Sequence, residues 1–184
     1  MGFFAEGIEK GNGVGKAGGV SRVRRLLTTD RIFFVTVTLR RNIPFLGQGE
    51  FHVLIGAVEE SRRREGFLLC GYALMPDHWH ALLGVRSPLT ISRAVQSVKW
   101  QAARRLNPCR GTTGAVWQHQ FWDRFVRHAK EFNDRLMYMH LNPVRKGLAK
   151  RPEDWRWSSY NNFAWEKERV AACPIQIDYV RMPA

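Results

Sequence analysis

Two histidines separated by one residue carry the clearest chemical signal in this sequence. His78 and His80 follow Pro76-Asp77, a pair typical of a tight turn, and begin an apolar run that predicts a strand over His78–Val85. On a strand, residues two apart project from the same face, about 6.6 Å from each other. Two neutral imidazoles at that separation can bind one metal ion above the sheet. Such pairs are also common among surface and core histidines that bind no metal. The rest of the sequence therefore has to show whether this pair is a metal site.

A tyrosine and an asparagine four residues apart form the second candidate set. If a helix continues through Asn142, then Tyr138 and Asn142 are neighbours on one face of it, while His140 points elsewhere and is structural. Asn142 is then a candidate metal ligand. An alternative stays open, because Asn142 precedes Pro143 and could instead cap a new helical turn that ends at Gly147. Tyr138 could equally be a core or interface tyrosine.

The hydrophobic pattern predicts the elements that must position these side chains. Alternation and a high content of β-branched and aromatic residues predict strands, and apolar stripes at helical spacing predict helices. The predicted strands are Arg31–Leu39, Phe67–Met75, His78–Val85 and Ala115–Val126. The predicted helices are Glu50–Arg64, Ser87–Leu106 and Lys130–Leu141, with a loop over Asn107–Gly114.

This order of elements predicts an α+β fold. The succession β-α-β-β-α-β is the split βαβ pattern of ferredoxin-like folds, an antiparallel sheet with helices on one face. The third helix follows the last strand, and it or a ligand takes the other face. On the strand that begins at His78, residues His78, His80 and Leu82 share one face, and Trp79 and Leu83 share the other.

The amino-acid composition predicts a basic protein that works in a reducing compartment. The chain has 184 residues, 45% of them hydrophobic, and a formal net charge of +13, which favours a polyanionic partner such as nucleic acid. Three cysteines without Cys-x-x-Cys spacing favour a reducing compartment over a disulfide framework or a zinc knuckle. No apolar run is long enough to span a bilayer, so we expect a cytoplasmic protein without a membrane partner.

Glycine content and charge divide the chain into three parts. Residues 1–28 are predicted to be a flexible tail, glycine-rich at first and basic at its end. Residues 29–165 contain the periodic segments and form the predicted domain. Residues 166–184 carry little signal and are assigned to a C-terminal extension.

Four motifs in the same order give a resemblance to a known family. They are Leu74–His80, Val116–Gln118, Tyr138–Arg145 and Asp154–Ser159. Together they resemble the single-tyrosine HUH transposases, specifically the branch called REP-associated tyrosine transposases. The similarity covers residues 29–163, and the conjunction of motifs is much more specific than any one of them.

The resemblance implies a function and a set of roles. It implies a nuclease domain that cleaves and rejoins single-stranded DNA with a divalent metal, Mg²⁺ or Mn²⁺. His78 and His80 would be metal ligands, Asn142 the third ligand, and Tyr138 the nucleophile that forms a 5′-phosphotyrosine and leaves a free 3′-hydroxyl. The implied partners are palindromic repeats that fold into hairpins. The proton acceptor stays open between Asp77, hydroxide and metal-bound water, and both a monomer and a homodimer stay possible.

Basic and aromatic residues supply candidate contacts to the strand. The candidate phosphate contacts are Arg22, Arg24, Arg25, Arg40, Arg41, Arg104, Arg105, Arg124, Arg127, Arg145 and Lys146. Trp155 and Trp157 are candidates for stacking on unpaired bases, with anchoring of the C-terminal segment on the core as the alternative. Trp117 and Trp122 are predicted to be core residues.

Two other functions fit parts of the pattern. A non-catalytic nucleic-acid-binding module would explain a basic sheet with aromatics, but it has no use for a histidine pair together with Tyr138. A metal-dependent hydrolase would use the histidines to activate water, and would leave free 5′-phosphate ends without a protein–DNA adduct.

Overall fold

The computed structural model describes residues 30–182 in full and, for Arg24–Arg25, the backbone only. The predicted glycine-rich tail and Arg22 lie outside the described residues. The main elements, in chain order, are β1 (Arg24–Arg25), β2 (Asp30–Thr38), α1 (Gln48–Glu65), β3 (Leu68–Leu74), β4 (His78–Arg86), α2 (Ile91–Arg110), β5 (Trp122–Val126), α3 (Ala129–Arg145), α4 (Lys167–Ala171) and β6 (Val180–Arg181). Two 3₁₀ turns, Pro152–Asp154 and Ser159–Phe163, lie between α3 and α4.

The central sheet has four strands in the order β3-β4-β2-β5, and every pairing within it is antiparallel. Strand β4 therefore lies between β3 and β2, although β2 precedes both in the chain. This is the split βαβ arrangement predicted from the order of the elements. The predicted ferredoxin-like α+β fold is confirmed.

The two faces of the sheet bury different side chains because alternate residues of a strand point in opposite directions. Val35 and Val37 of β2 and Trp79 of β4 belong to the core under α1 and α2. Phe34 and Leu82 face the other way and pack with α3. The third helix thus occupies the sheet face that the sequence left open for a helix or a ligand.

A glycine in β3 sets how closely α3 approaches the sheet. A Cβ atom at Gly71 would lie 2.6 Å from Cε of Met139 and 2.8 Å from Cδ1 of Leu136, closer than any ordinary contact. The β3–β4 register also shifts between Leu69 and Gly71. The missing side chain therefore lets the ends of the Leu136 and Met139 side chains pack directly on β3.

Helix α2 differs from its prediction at both ends. It begins at Ile91 rather than at Ser87, because the Thr90 side chain accepts a hydrogen bond from the Arg93 amide and caps the helix there. It continues to Arg110 and takes up the first part of the predicted loop, so the predicted end at Leu106 is wrong. Gly111 ends it in the left-handed conformation, with φ of 61°.

The fourth strand and the third helix also differ from prediction. Strand β5 covers only Trp122–Val126, and Trp117 makes an isolated bridge to Leu39 instead of joining the strand. Helix α3 continues past Leu141 to Arg145 with Pro143 inside it. Asn142 is therefore an interior helical residue, and the alternative that it caps a new turn is wrong.

The last described residues pack onto the sheet domain. Ile175 and Ile177 are buried in the α1/α2-side core. Asp178 bonds Leu69 of β3 twice, through its amide at 2.7 Å and its carboxylate at 2.9 Å. Strand β6 pairs in parallel with β1, which lies inside the predicted tail. The predicted boundaries at 28 and 165 stay a prediction. None of the helices in the described residues is long and apolar enough to cross a membrane.

Candidate active site

The histidine pair lies at the start of β4, directly after the turn at Pro76-Asp77. The turn is closed by a hydrogen bond of 2.8 Å from the Met75 amide to the His78 carbonyl. Because His78 and His80 are two residues apart on the strand, both rings project from the α3 side of the sheet. Their Nε2 atoms converge to 3.0 Å from each other.

The hydrogen bonds behind the two rings orient both Nε2 atoms toward the same point. Nδ1 of His78 lies 2.6 Å from Oδ1 of Asp77, and Nδ1 of His80 lies 2.8 Å from Oγ1 of Thr36. An ionised carboxylate only accepts hydrogen bonds, so the His78 proton is on Nδ1. The Thr36 hydroxyl is able to accept from Nδ1 of His80 as well as to donate; when it accepts, both Nε2 lone pairs are left for a metal.

Burial keeps the inner histidine neutral. His80 is almost fully enclosed, and this desolvation, with the neighbouring His78 adding to it, lowers the pKa of His80 to about 3, although Asp77 acts in the opposite direction. A neutral imidazole is the form that binds metals. The His80 ring also stacks on Phe34, with the centroids 5.3 Å apart.

Asn142 completes the convergence from α3. Its amide nitrogen lies 2.8 Å from Nε2 of His80 and 3.2 Å from Nε2 of His78, and the side chain is buried. A half-turn of the terminal amide exchanges its nitrogen and oxygen, so the same side chain can present Oδ1 to a cation. The structure thus brings together all three predicted metal ligands.

The three side chains fit a six-coordinate divalent ion. Adjacent ligands of an octahedral ion with bonds of about 2.1 Å are about 3.0 Å apart, which is the observed separation of the His78 and His80 nitrogens. Within the described residues, no group of three His, Cys, Asp or Glu side chains is arranged to hold a metal. The donor set is therefore two imidazoles and one amide, and it leaves coordination positions open.

Tyr138 lies one helical turn before Asn142 and on the same side of α3. Its ring meets the His80 ring edge-on with the centroids 5.6 Å apart, and its side chain is 42% exposed. The guanidinium of Arg145 lies 5.7 Å from the centroid of the phenol ring. Tyr138 is thus neither buried nor remote: it lies beside the histidine pair and is open to a substrate.

His140 has the structural role that its position on the helix predicts. It is buried, and its Nε2 lies 2.8 Å from Oγ of Ser159. Ser159 in turn accepts a hydrogen bond from the Tyr72 amide, which links α3 to β3. Burial lowers the pKa of His140 to about 3, so the ring is neutral.

The candidate phosphate contacts are spread over the molecule. Arg145 lies at the site, and Arg40 and Arg41 follow β2 at the end that pairs with His78. Arg124 is on the α3 side of β5 and bonds Glu131 at 2.5 Å. The other described candidates are exposed or partly exposed: Arg127 and Lys146 at the two ends of α3, and Arg104 and Arg105 on α2 across the sheet. For Arg24 and Arg25 only the backbone is described.

Three tryptophan predictions need correction. Trp155 and Trp157 are buried and pack on Phe51, and their indole nitrogens bond the Leu74 carbonyl and the Gln48 side chain, both at 2.9 Å. Stacking on bases is wrong for both, and the core-anchor alternative is correct. Trp117 is buried as predicted, but Trp122 is 49% exposed and is not a core residue.

Sequence reasoning missed two residues at the site. The contact of Thr36 with His80 depends on the β2–β4 register, which pairs Thr36 directly with His80. Arg135 lies against Phe34 and Trp122, with its guanidinium 5.6 Å and 5.8 Å from the two ring centroids. The only available signal for Arg135 was its spacing of three residues from Tyr138 on the helix.

The known proteins that resemble this chain include several REP-associated tyrosine transposases. The chain is 24% identical to the REP-associated tyrosine transposase of Escherichia coli K12 over 142 residues, covering 77% of this chain and 84% of the relative. It is 24% identical to a putative REP-associated tyrosine transposase of Haemophilus influenzae over 152 residues, covering 77% and 86%. A solved REP-associated tyrosine transposase bound to a REP hairpin has the same fold, with a TM-score of 0.64 at 23% identity, covering 90% of this chain and 94% of that one.

The family model described as "Transposase IS200 like" matches residues 31–130, which contain the sheet, α1, α2 and the histidine pair. This confirms the resemblance that the four motifs indicated. The chain belongs to the IS200-like transposase family and is a DNA-cleaving transposase.

Proposed function

We propose that this transposase cleaves and rejoins single-stranded DNA by metal-dependent transesterification, with Tyr138 as the nucleophile. The observation that carries the proposal is the convergence of His78, His80 and Asn142 on one point, with the exposed Tyr138 ring against His80. A binding module needs none of these contacts. The substrate we propose is a palindromic repeat that folds into a hairpin, because a relative of the same fold is bound to a REP hairpin.

The metal-binding part of the proposal rests on donor chemistry. His78, His80 and the Asn142 amide oxygen would hold Mg²⁺ or Mn²⁺, and imidazole ligands favour Mn²⁺. When bound, the ion supplies positive charge that polarises a non-bridging phosphate oxygen and holds the phosphate in place. Asp77 and Thr36 keep the two imidazole lone pairs directed at that position.

The chemical step is an exchange of one phosphoester bond for another. The Tyr138 hydroxyl attacks the phosphorus, a bond from Tyr138 oxygen to phosphorus forms, and the bond to the 3′ oxygen breaks. The phenol proton passes to solvent and the departing 3′ oxygen takes up a proton, so charge and atoms balance. The product is a 5′-phosphotyrosine and a free 3′-hydroxyl. Attack by a second 3′-hydroxyl reverses the step and joins strands without ATP.

Arg145 supports the same arrangement through its charge. Its guanidinium lies over the Tyr138 ring, at the exposed side of the site. A planar guanidinium offers paired donors that match two oxygens of a phosphate. We therefore assign to Arg145 the positioning of the scissile phosphate next to the phenol oxygen. We further propose that the protein acts in the cytoplasm, where the thiols of Cys109 and Cys173 stay reduced.

The test is covalent trapping on a denaturing gel. Wild-type protein with Mn²⁺ and single-stranded oligonucleotides that carry palindromic stems and unpaired flanks should give a slower protein band that contains DNA. Tyr138→Phe should lose this band but still bind the oligonucleotide. Tyr160→Phe is the matched control, because Tyr160 lies against His140 away from the metal ligands and should keep the band.

The rival functions predict other results. A hydrolase would give free 5′-phosphate ends and no band in any variant. A binding module would leave the oligonucleotide intact. A band of wild-type intensity in Tyr138→Phe would show that another residue is the nucleophile.

A further inference from the structure

Trp122 lies in the same row of the sheet as the histidine pair. It is the first residue of the edge strand β5 and pairs with Thr36, which pairs in turn with His80. Residues that pair directly across strands project from the same face, so the Trp122 indole lies on the side of the sheet that carries the candidate active site. Half of the side chain is exposed, and its indole nitrogen makes no hydrogen bond to any described residue.

One aromatic ring connects Trp122 to the reacting groups. The Phe34 centroid lies 5.9 Å from the Trp122 ring, 5.3 Å from the His80 ring and 6.1 Å from the Tyr138 ring. Trp122 is thus one ring away from both the nucleophile and the inner metal ligand. A nucleotide next to a phosphate held at Tyr138 would therefore be within reach of the indole.

Arg135 holds the indole from the helix side. Its guanidinium lies 5.6 Å from the Phe34 centroid and 5.8 Å from the Trp122 centroid, a distance at which cation–π attraction is significant. Arg135 makes no ion pair with a carboxylate in the described part of the chain. Its charge therefore stays uncompensated beside an exposed aromatic surface, which is the combination that single-stranded nucleic-acid sites use.

We propose that Trp122, held in place by Arg135, is a stacking platform for one unpaired base next to the scissile phosphate. The proposal rests on the proposed function in that it takes the DNA strand as the ligand. Positive charge that no ion pair compensates in the described residues, from Arg135 at the platform and Arg145 at Tyr138, favours a polyanion over an apolar protein partner. Every base has a π-face, so the platform itself is tolerant of sequence and serves to hold the strand in register.

The test compares two ligands that carry the same phosphates and differ only in their bases. One is a fluorescent thymidine oligomer of about 12 nucleotides, and the other is its abasic counterpart. Binding is measured without added metal in the Tyr138→Phe background, so that no cleavage chemistry is needed. The base-dependent part of the affinity should fall by about 5-fold to 150-fold in Trp122→Ala and be largely kept in Trp122→Phe.

Trp100 provides a matched control. It is 50% exposed and also lies under two guanidinium groups, those of Arg64 and Arg104, but it is on α2, across the sheet from α3. Trp100→Ala should therefore keep the base-dependent affinity. A thermal melt of each variant separates a loss of stacking from a loss of folding, and Trp122→Phe retains an aromatic ring on the strand.

Three results would overturn the proposal. The first is equal base dependence in Trp122→Ala and in the parent protein, and the second is no base dependence in the parent. The third is a change of oligomeric state in Trp122→Ala with base dependence intact, which would make the indole an interface between copies. Failure of the covalent trap alone would leave the platform standing, because the binding assay uses no nucleophile; loss of the platform with trapping intact would remove only this proposal.

Discussion

The hydroxyl of Thr36 is predicted to set the metal affinity of the site, although it would touch no metal itself. Thr36→Val keeps the shape and branching of the side chain and removes only the acceptor that lies 2.8 Å from Nδ1 of His80. His80 is 3% exposed, so no bulk water replaces the lost acceptor. The ring N–H then has only its backbone partner Val35 left, so the ring shifts toward the form with its proton on Nε2, which blocks the lone pair that faces His78 and Asn142.

The free-energy cost of losing the hydrogen bond between Thr36 and His80 sets how much the metal affinity falls. Leaving a buried donor unpaired costs about 1–3 kcal/mol, which corresponds to about 5-fold to 150-fold in an equilibrium constant. Loss of a residue that orients a metal ligand typically lowers metal affinity or activity by about 10-fold to 100-fold. We therefore expect Thr36→Val to weaken Mn²⁺ binding by about 10-fold to 100-fold. Adduct formation should recover at high Mn²⁺, because the nucleophile and the DNA contacts are unchanged.

The assay is calorimetric titration with Mn²⁺, together with the rate of adduct formation as a function of Mn²⁺ concentration. Thr38→Val is the matched control: Thr38 is on the same face of β2, pairs with His78, and makes no side-chain hydrogen bond within the described residues. Thr36→Ser should retain most of the affinity because it keeps the hydroxyl. Wild-type Mn²⁺ affinity in Thr36→Val, or a loss of rate that high Mn²⁺ does not relieve, would refute the reasoning.

Three further experiments test other parts of the structure. Asn142→Leu should weaken Mn²⁺ binding by about 10-fold or more, whereas Asn142→Asp should strengthen it because a carboxylate is the better ligand; calorimetry would contradict this if both variants weakened binding alike. Glu50→Gln should destabilise the fold by about 1–2 kcal/mol at pH 7, because it weakens the hydrogen bonds from Arg110. These hydrogen bonds lower the pKa of Glu50, so their contribution to stability is present above the ordinary glutamate pKa and is lost as pH falls below the lowered pKa. Denaturant unfolding should show the difference shrink as pH falls from the ordinary glutamate range through the lowered pKa of Glu50; a difference that does not change with pH would contradict it. Mixing Tyr138→Phe with His80→Ala should restore no adduct, and restoration would show that the tyrosine serves a neighbouring chain.

The sheet could be predicted because its signals are local. The alternation in β2 and β4 and the turn at Pro76-Asp77 define two faces without any knowledge of what packs on them. The placement of His78 and His80 on one face follows from that period alone. The alternation does not give the register between β2 and β4. The contact between Thr36 and His80, which are 44 residues apart in the chain, depends entirely on that register.

Asn142 shows a local rule losing to tertiary packing. A residue before proline is biased away from the helical conformation, yet α3 continues through both Asn142 and Pro143. Pro143 is buried, and its carbonyl accepts a hydrogen bond of 2.8 Å from the Leu148 amide. The Asn142 amide bonds both histidines. The contacts with the histidines, 62 and 64 residues away in the chain, and the packing of Pro143 outweigh a bias that a single dipeptide contributes.

The tryptophans show that composition alone does not decide whether an aromatic side chain is buried or exposed. A basic, aromatic segment such as the one with Trp155 and Trp157 reads equally well as a base-stacking surface or as a core anchor. The structure places these two inside, with paired indole nitrogens, and Trp122 outside. Trp122 is exposed because β5 is an edge strand of only five residues, and the length of that strand was overestimated.

One chain contains every group that the proposed reaction needs. Tyr138 and Asn142 are on the same helix, and both side chains reach the histidine pair of their own chain. Gly71 moreover lets α3 lie tight against β3 of its own chain. Tyr138 thus lies beside the histidines of its own chain, and the mixture of Tyr138→Phe with His80→Ala tests whether it acts there.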